Sequence, residues 1–232
     1  EECFEFGWRA FDLAERLQTP VFVLSDLDLG MNQWMAKPFE YPGQPFDRGK
    51  VLWEEDIERL KGDWGRYRDV DGDGIPWRTV PGNQHPASAW FGRGTGHNPD
   101  AQYSEDSRVW HANMERLRRK YETARGLVPR PEVESSGQEI GIIYYGSSQP
   151  AVQEARHLLA LQGIRTDALR LRSLPCTPEL RPFVDEHRRI YTVEANRDGQ
   201  LNQILSLNFQ EQAGKFKSLS ISDGLPLTAR WL

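Results

Sequence analysis

The stretch from Glu139 to Ser222 alternates between two hydrophobic periods, and no other feature limits the fold as strongly. EIGIIYYGSS (139–148) reads as a strand and turn, an apolar run of strand length ending in Gly and Ser. QPAVQEARHLLALQG (149–163) steps at helical spacing and stops at Gly163. The pattern then repeats. IRTDALRLRSLP is a strand and CTPELRPFVDEHR a helix; RIYTVEANRDG is a strand and loop and QLNQILSLNF a helix; SLSIS closes as a strand. Strands separated by helices cannot pair as hairpins. The helices are therefore crossovers, and the sheet is mainly parallel in an α/β domain. No GxGxxG follows the first strand, and the GSS at Gly146 is too weak a signal for a dinucleotide.

Upstream, Phe4, Trp8, Phe11, Ala14 and Leu17 recur at helical spacing, so Glu2 to Leu17 is a helix ended by Gln18-Thr19-Pro20. VFVL (21–24) reads as a buried strand running into a polar loop. A helix followed by a strand is the closing unit of an α/β sheet, too small to be a domain. The chain starts at Glu1 without a Met, so it is expected to be a piece of something longer. Residues 31–100 are dense in Gly, Pro and aromatics, with one helix expected from Trp53 to Leu60. Trp34, Phe39, Tyr41, Phe46, Trp64, Tyr67, Trp77, Trp90 and Phe91 argue that this segment is buried. Ser104 to Arg125 is the clearest helix. Trp110, Met114, Leu117, Tyr121 and Ala124 form its apolar seam, which leaves its Arg and Lys residues on a solvated face. VPRPEVESSGQ (128–138) reads as a polar linker at a domain boundary. Three regions follow: residues 1–30, a connecting region over 31–136, and an α/β domain over 137–232.

Composition excludes several classes. A net charge of −5 over 232 residues leaves no general polyanion-binding surface, and RLRRKYETAR (116–125) is only a local exception. Nucleic acid is not an expected partner. No apolar run approaches the roughly 20 residues of a transmembrane helix, and EECFEF is no secretory leader. The two cysteines, Cys3 and Cys176, read as free thiols in a reducing cytoplasm. They are too few for a self-contained iron–sulfur cluster, which takes about four thiolates.

Three stretches carry candidate chemistry. In DVDGDGIPWRTV, Asp69, Asp71 and Asp73 with Gly74 match the first half of a calcium loop. Position twelve is Val80, where a bidentate Glu is needed. The competing reading is a chain of Asx-turns. In RGTGHNPD, Arg93, Thr95 and His97 lie in a glycine-rich loop that could hold an anionic substrate or phosphate, or could simply turn the chain. In VEANRDGQLNQ, Glu194 and Asn196 end a strand while Gly199 and Gln200 open a helix. This is where α/β sheets take ligands or partners, and equally where a helix is capped. The five histidines show no metal spacing, and no nucleophile–base set can be assembled.

Taken together, FDLAERLQTPVFVLSDLDLGMNQW, DVDGDGIPWRT, RGTGH, YSED, VEANRDGQL and DGLPLTARWL resemble the alpha subunit of 2-oxoacid:ferredoxin oxidoreductases, the 2-oxoglutarate type closest. The motifs stand in order across essentially the whole chain. The resemblance implies the end of a pyrimidine-binding domain over 1–30 and a transketolase C-terminal-like domain over 137–232. The implied reaction converts a 2-oxoacid and coenzyme A to acyl-CoA, CO₂ and reduced ferredoxin. Thiamine diphosphate, Mg²⁺ and a 4Fe–4S cluster are then expected mainly on a beta subunit, with the pyrimidine-activating glutamate upstream of Glu1. Arg93, Thr95 and His97 become candidates for substrate or coenzyme A. Glu194, Asn196, Gly199 and Gln200 become candidates for ligand or subunit contact. After RGTGH the family pattern continues with Asp-Glu, whereas this chain has Asn98-Pro99-Asp100, and Pro99 removes an amide donor. Two other readings stay open: a thiamine enzyme of the transketolase or 2-oxoacid dehydrogenase type, and a non-catalytic α/β interaction module with a Ca²⁺-stabilised loop.

Overall fold

The computed structural model describes residues 1–92 and 96–232. In chain order its helices are α1 (Glu2–Leu17), α2 (Leu27–Met31), α3 (Glu54–Arg59), α4 (Ser107–Arg125), α5 (Gln149–Leu161), α6 (Leu180–Glu186) and α7 (Gln200–Asn208). The strands are β1 (Glu132–Glu134), β2 (Ile140–Tyr145), β3 (Asp167–Leu171), β4 (Arg189–Glu194) and β5 (Phe216–Ser220). The chain divides into one unit of residues 1–23 and 36–127 and another of residues 24–35 and 128–232.

The second unit is the expected α/β fold, with sheet order β1-β3-β2-β4-β5. Strands β2 to β5 are mutually parallel, because a helix intervenes between each successive pair. The sheet is apolar on both faces. Ile143, Leu169, Ile190 and Phe216 pack with Leu180, Phe183 and Val184 of α6 and Leu201 and Leu205 of α7. Ile142, Tyr144, Ala168 and Val193 pack with Val152 of α5. Two covered faces explain why these strands read as continuous apolar runs.

The polar linker carries more structure than its composition indicates. Residues 132–134 form β1, an antiparallel edge strand on β3. Its side chains stay exposed, and ion pairs hold it: Arg170 to Glu132 at 2.7 Å and Arg156 to Glu134 at 2.6 Å. The turn that follows wraps the carboxylate of Asp167, which is only 1% exposed. That carboxylate accepts from the backbone N–H of Ser136 (2.9 Å), Gly137 (3.0 Å) and Gln138 (3.0 Å) and from the Ser136 hydroxyl (2.8 Å). His187 Nε2 lies 3.2 Å away. Burial by itself would push the Asp167 carboxyl up. The donors from Ser136, Gln138 and His187 outweigh it and hold the pKa at about 2.

The first unit is organised around the Asp-Gly loop. Gly74 sits at φ +80°, and a Cβ there would overlap the Lys120 amide nitrogen and the Arg116 carbonyl oxygen. Only glycine lets the loop lie this close to the α4 backbone. The Thr123 hydroxyl donates to the Asp73 carbonyl at 2.7 Å, and Arg116 Nη1 donates to the Gly74 carbonyl at 3.2 Å. Lys120 Nζ donates to the Gln18 carbonyl at 3.3 Å.

This docking corrects the face assigned to α4. The helix forms, but Trp110 (49% exposed), Met114, Leu117 and Tyr121 face out, and only Ala124 of the seam is buried. The inner face is instead Asn113, Arg116, Lys120 and Thr123, chosen by hydrogen bonds to loop backbone. Arg116 and Lys120 are therefore not on a solvated face. Two further expectations fail. VFVL forms no strand, and Phe22 and Leu24 are 82% and 88% exposed. A strand needs a ladder partner, and no strand among the described residues pairs with it. Of the nine aromatics expected to be buried, Trp34, Phe39, Tyr41, Phe46, Trp90 and Phe91 are exposed, whereas Trp64, Tyr67 and Trp77 are half-buried. Several associate at the surface instead: Phe4 stacks on Phe39 with centroids 4.9 Å apart, and Phe11 meets Phe46 at 5.9 Å. Residues 37–47 run along α1, where Glu1 and Asp12 accept from the amides of Lys37 (3.0 Å) and Asp47 (2.9 Å).

Two outcomes follow from this packing. Gly72→Ala meets open space, so it incurs only the left-handed backbone penalty of about 1–2 kcal/mol. Gly74→Ala must also displace the α4 backbone, so its thermal midpoint falls well below that of Gly72→Ala; equal midpoints would refute the close approach. For Asp167, the depressed pKa contributes stability that is fully present above its unfolded value near pH 4. It is lost as pH falls through about 2. Urea unfolding from pH 5 to pH 2 should therefore show wild type losing about 2 kcal/mol more than Asp167→Asn over that window. Parallel profiles would contradict the assignment.

Candidate functional site

Strand order reverses between β2 and β4: the chain leaves β2 toward β3 on one side and returns to β4 on the other. In parallel sheets, the carboxyl ends of the two strands at such a point diverge and leave a crevice. Here those ends are Tyr145-Gly146-Ser147 and Glu194-Ala195-Asn196.

Glu194 is fully buried and acts as the anchor. Its Oε2 accepts from the N–H of Leu201 at 2.7 Å and from Asn196 Nδ2 at 2.6 Å, and its Oε1 accepts from the N–H of Asn202 at 3.1 Å. These amides belong to the first turn of α7, so the carboxylate both caps the helix and meets its positive end. Asn196 Oδ1 accepts from the N–H of Gly199 at 2.8 Å and of Asp198 at 3.1 Å, closing an Asx-turn. Gly199 has φ +62°, and a Cβ there would come 2.7 Å from the Ser218 hydroxyl. Its N–H also donates to Ser220 Oγ at 3.0 Å. Gln200 is exposed at the rim.

Across the crevice, the Ser147 hydroxyl donates to the carboxylate of Asp26, which also caps α2 through the Leu29 N–H at 2.9 Å. Burial pushes the Tyr145 phenol up, a hydrogen bond with Asn196 pulls it down, and the charges of Glu194 and Asp26 raise it further. Tyr145, Ser147 and Asp26 thus join the residues marked by sequence. The local hints of them were the polar turn of Asp26 after an apolar run and the Gly-Ser turn that ends the strand over 139–148. The arrangement offers hydroxyl and amide groups on a rigid frame. The α7 amides that could have held an anion are already taken by Glu194.

The other candidates lie in the first unit. Asp69, Asp71 and Asp73 do come together, around the protein's own cations. Lys50 Nζ lies 2.6 Å from Asp71 and 2.8 Å from Asp73 and donates to the Ile75 carbonyl at 2.9 Å. Arg119 pairs with Asp69 at 2.9 Å. Asp69 and Asp73 accept from the N–H of Gly74 and Ile75, each at 2.9 Å. These are the self-capping turns of the competing reading. Arg93 and Thr95 lie outside the described residues. His97 is buried, and its ring stacks on Tyr67 with centroids 4.9 Å apart.

The donor set also tests the expected cofactors. No group of three or more His, Cys, Asp or Glu among the described residues is placed to hold a metal. Cys3 is exposed and Cys176 buried, and two thiols do not supply a cluster's ligands. Among the described residues, therefore, nothing fits a metal ion or an iron–sulfur cluster.

No protein-family model matches the chain. It is 26% identical over 212 residues to "2-oxoacid:ferredoxin oxidoreductase 2, subunit alpha" of Aeropyrum pernix, covering 88% of this chain and 32% of that protein. It is 26% identical to a 2-oxoacid:ferredoxin oxidoreductase subunit alpha of Saccharolobus solfataricus, covering 89% and 33%. Among solved structures it is similar to a 2-oxoglutarate:ferredoxin oxidoreductase from Magnetococcus marinus with 2-oxoglutarate, coenzyme A and succinyl-CoA bound. The TM-score is 0.68 at 23% identity, over 94% of this chain and 37% of that one. The chain resembles these alpha subunits across nearly its whole length and spans about a third of the length of the curated relatives it matches. The structural likeness establishes the fold.

Glu194→Ala would strand the amides of Leu201 and Asn202 in a buried site, a cost of about 1–3 kcal/mol. Hydrogen exchange should then speed up at Leu201 and Asn202 more than at amides of α5. A uniform change would remove the anchoring role.

Proposed function

We propose that the chain is part of the alpha subunit of a 2-oxoacid:ferredoxin oxidoreductase. The observation that carries this reading is the likeness to two such alpha subunits, each covering close to nine tenths of the chain. A 2-oxoacid and coenzyme A would be converted to acyl-CoA and CO₂, with ferredoxin as electron acceptor. We take 2-oxoglutarate as the 2-oxoacid, supported by the ligands of the Magnetococcus marinus enzyme.

In this reading residues 1–30 end a pyrimidine-binding domain, 31–136 connect, and 137–232 form the transketolase C-terminal-like domain. Thiamine diphosphate, Mg²⁺ and the 4Fe–4S cluster belong mainly to a beta subunit, and the chain is inactive alone, in the cytoplasm. Two cysteines, too few for a 4Fe–4S cluster, support that division. When bound, thiamine diphosphate would supply the carbanion chemistry of decarboxylation. This chain would contribute a rigid face: Tyr145, Asn196 and Gln200 at the β2/β4 crevice contact ligand or partner, while Glu194 and Gly199 hold that loop in place. Arg93, Thr95 and His97 are proposed to approach the substrate or coenzyme A. Exposed apolar side chains within residues 24–35, among them Leu24, Leu27, Met31 and Met35, support a partner surface. The calcium-module alternative is disfavoured, because Lys50 occupies the place of a cation between Asp71 and Asp73.

The alpha polypeptide carrying this chain, co-purified with a beta subunit, is expected to reduce methyl viologen when given 2-oxoglutarate and coenzyme A. Omitting either substrate or either subunit should abolish reduction. A stable pair that reduces nothing with any 2-oxoacid would overturn the proposal.

A further inference from the structure

Beside α4 in the first unit is a cleft of about 640 Å³, with Tyr67, Asp69, His97, Asn113, Arg116 and Arg119 among its lining. Most of its charges are matched. Arg119 pairs with Asp69, Arg108 with Asp106, and Arg68 with Asp63 and Asp100. Arg116 differs. It has no carboxylate partner among the described residues, and its buried Nε donates to nothing among them. Its guanidinium lies 5.7 Å from the centre of the Tyr67 ring. Arg66 lies over the same ring at 5.1 Å and over Trp90 at 4.9 Å, again with a buried, unpartnered Nε among the described residues. Lys120, one turn along α4 from Arg116, donates to the Gln18 carbonyl.

Three half-buried cations thus stand together; the charge of Asp69, itself paired with Arg119, reaches Arg116, and no ion pair joins a carboxylate to any of the three among the described residues. Burial is the main cause that lowers the pKa of each; the charge of Arg116 lowers Arg66 and Lys120 further, while at Arg116 Asp69 and Tyr67 oppose the effect and Arg119 adds to it. Ring contacts offset about 0.5–2 kcal/mol apiece. Withdrawing an ion from water costs several kcal/mol. A bound anion would offset that cost.

We propose that this cleft binds a phosphate or diphosphate group, with Arg116 as its principal contact and Arg66 and Lys120 supplying charge behind it. A lone carboxylate would neutralise one of the three cations; a phosphate dianion or a diphosphate neutralises two or three. Guanidinium also offers paired N–H groups that match phosphate oxygens. This proposal does not depend on the oxidoreductase reading.

Calorimetry on the full chain with inorganic pyrophosphate tests it. Saturable binding is expected, weakened about ten-fold or more in Arg116→Gln. Arg118→Gln, exposed on α4 and paired with Glu115 outside the cleft, should leave it unchanged. Malonate should bind far more weakly than pyrophosphate. An ADP arm separates the two sources: tighter binding than pyrophosphate marks a nucleotide-linked group, and equal binding a free one. Should Arg116→Gln fail to fold, pyrophosphate protection of wild-type Arg116 from phenylglyoxal, read by mass spectrometry, replaces it. The site is overturned by absence of saturable pyrophosphate binding, by malonate binding equally well, by equal losses in both variants, or by lack of protection.

Discussion

The buried Glu194 carboxylate is the interaction on which the candidate site depends. It sits where β4 ends and draws the first-turn amides of α7 onto itself. Strand end, loop and helix start are thereby fixed in one geometry, and Asn196 and Gly199 have little freedom left. A carboxylate without those donors would be costly at zero exposure; with them it is a rigid hinge pin. The crevice opposite Tyr145 inherits that rigidity. It also inherits a limitation, because the helix terminus is already neutralised and its backbone cannot be the anion receptor.

The first unit solves the same problem with opposite signs. Its loop aspartates are satisfied by Lys50, by Arg119 and by their own backbone, and Gly74 presses that loop onto α4. The helix is then seated by polar contacts while its aromatic stripe faces outward. Positive charge accumulates on the seated side because Arg116 and Lys120 reach carbonyl oxygens rather than carboxylates.

What was legible in the sequence was local. The βα alternation after residue 138 is set by periodicity within each segment, and it appears in the expected order, with β3 and α6 shorter than their segments and β5 shifted two residues upstream. The cap at Glu194 and the Asx-turn at Asn196 were also readable, since their partners lie within eight residues. Long-range choices were not. Which face of α4 is buried depends on a loop some fifty residues away. VFVL has strand composition but no ladder partner among the described residues. β1 is three residues of exposed side chains whose pairing depends on Arg170 and Arg156. Tyr145 and Asp26 enter the crevice only because the sheet reverses order there.

The two thiols differ in accessibility, and that difference has a practical use. Cys176 lies in the packed layer under the sheet, whereas Cys3 stands exposed on the first turn of α1. A maleimide reagent applied to the folded protein would mark one position and leave the other shielded. Within residues 1–232, Cys3 is therefore a natural attachment point for a fluorophore or spin label, placed to report motion of α1.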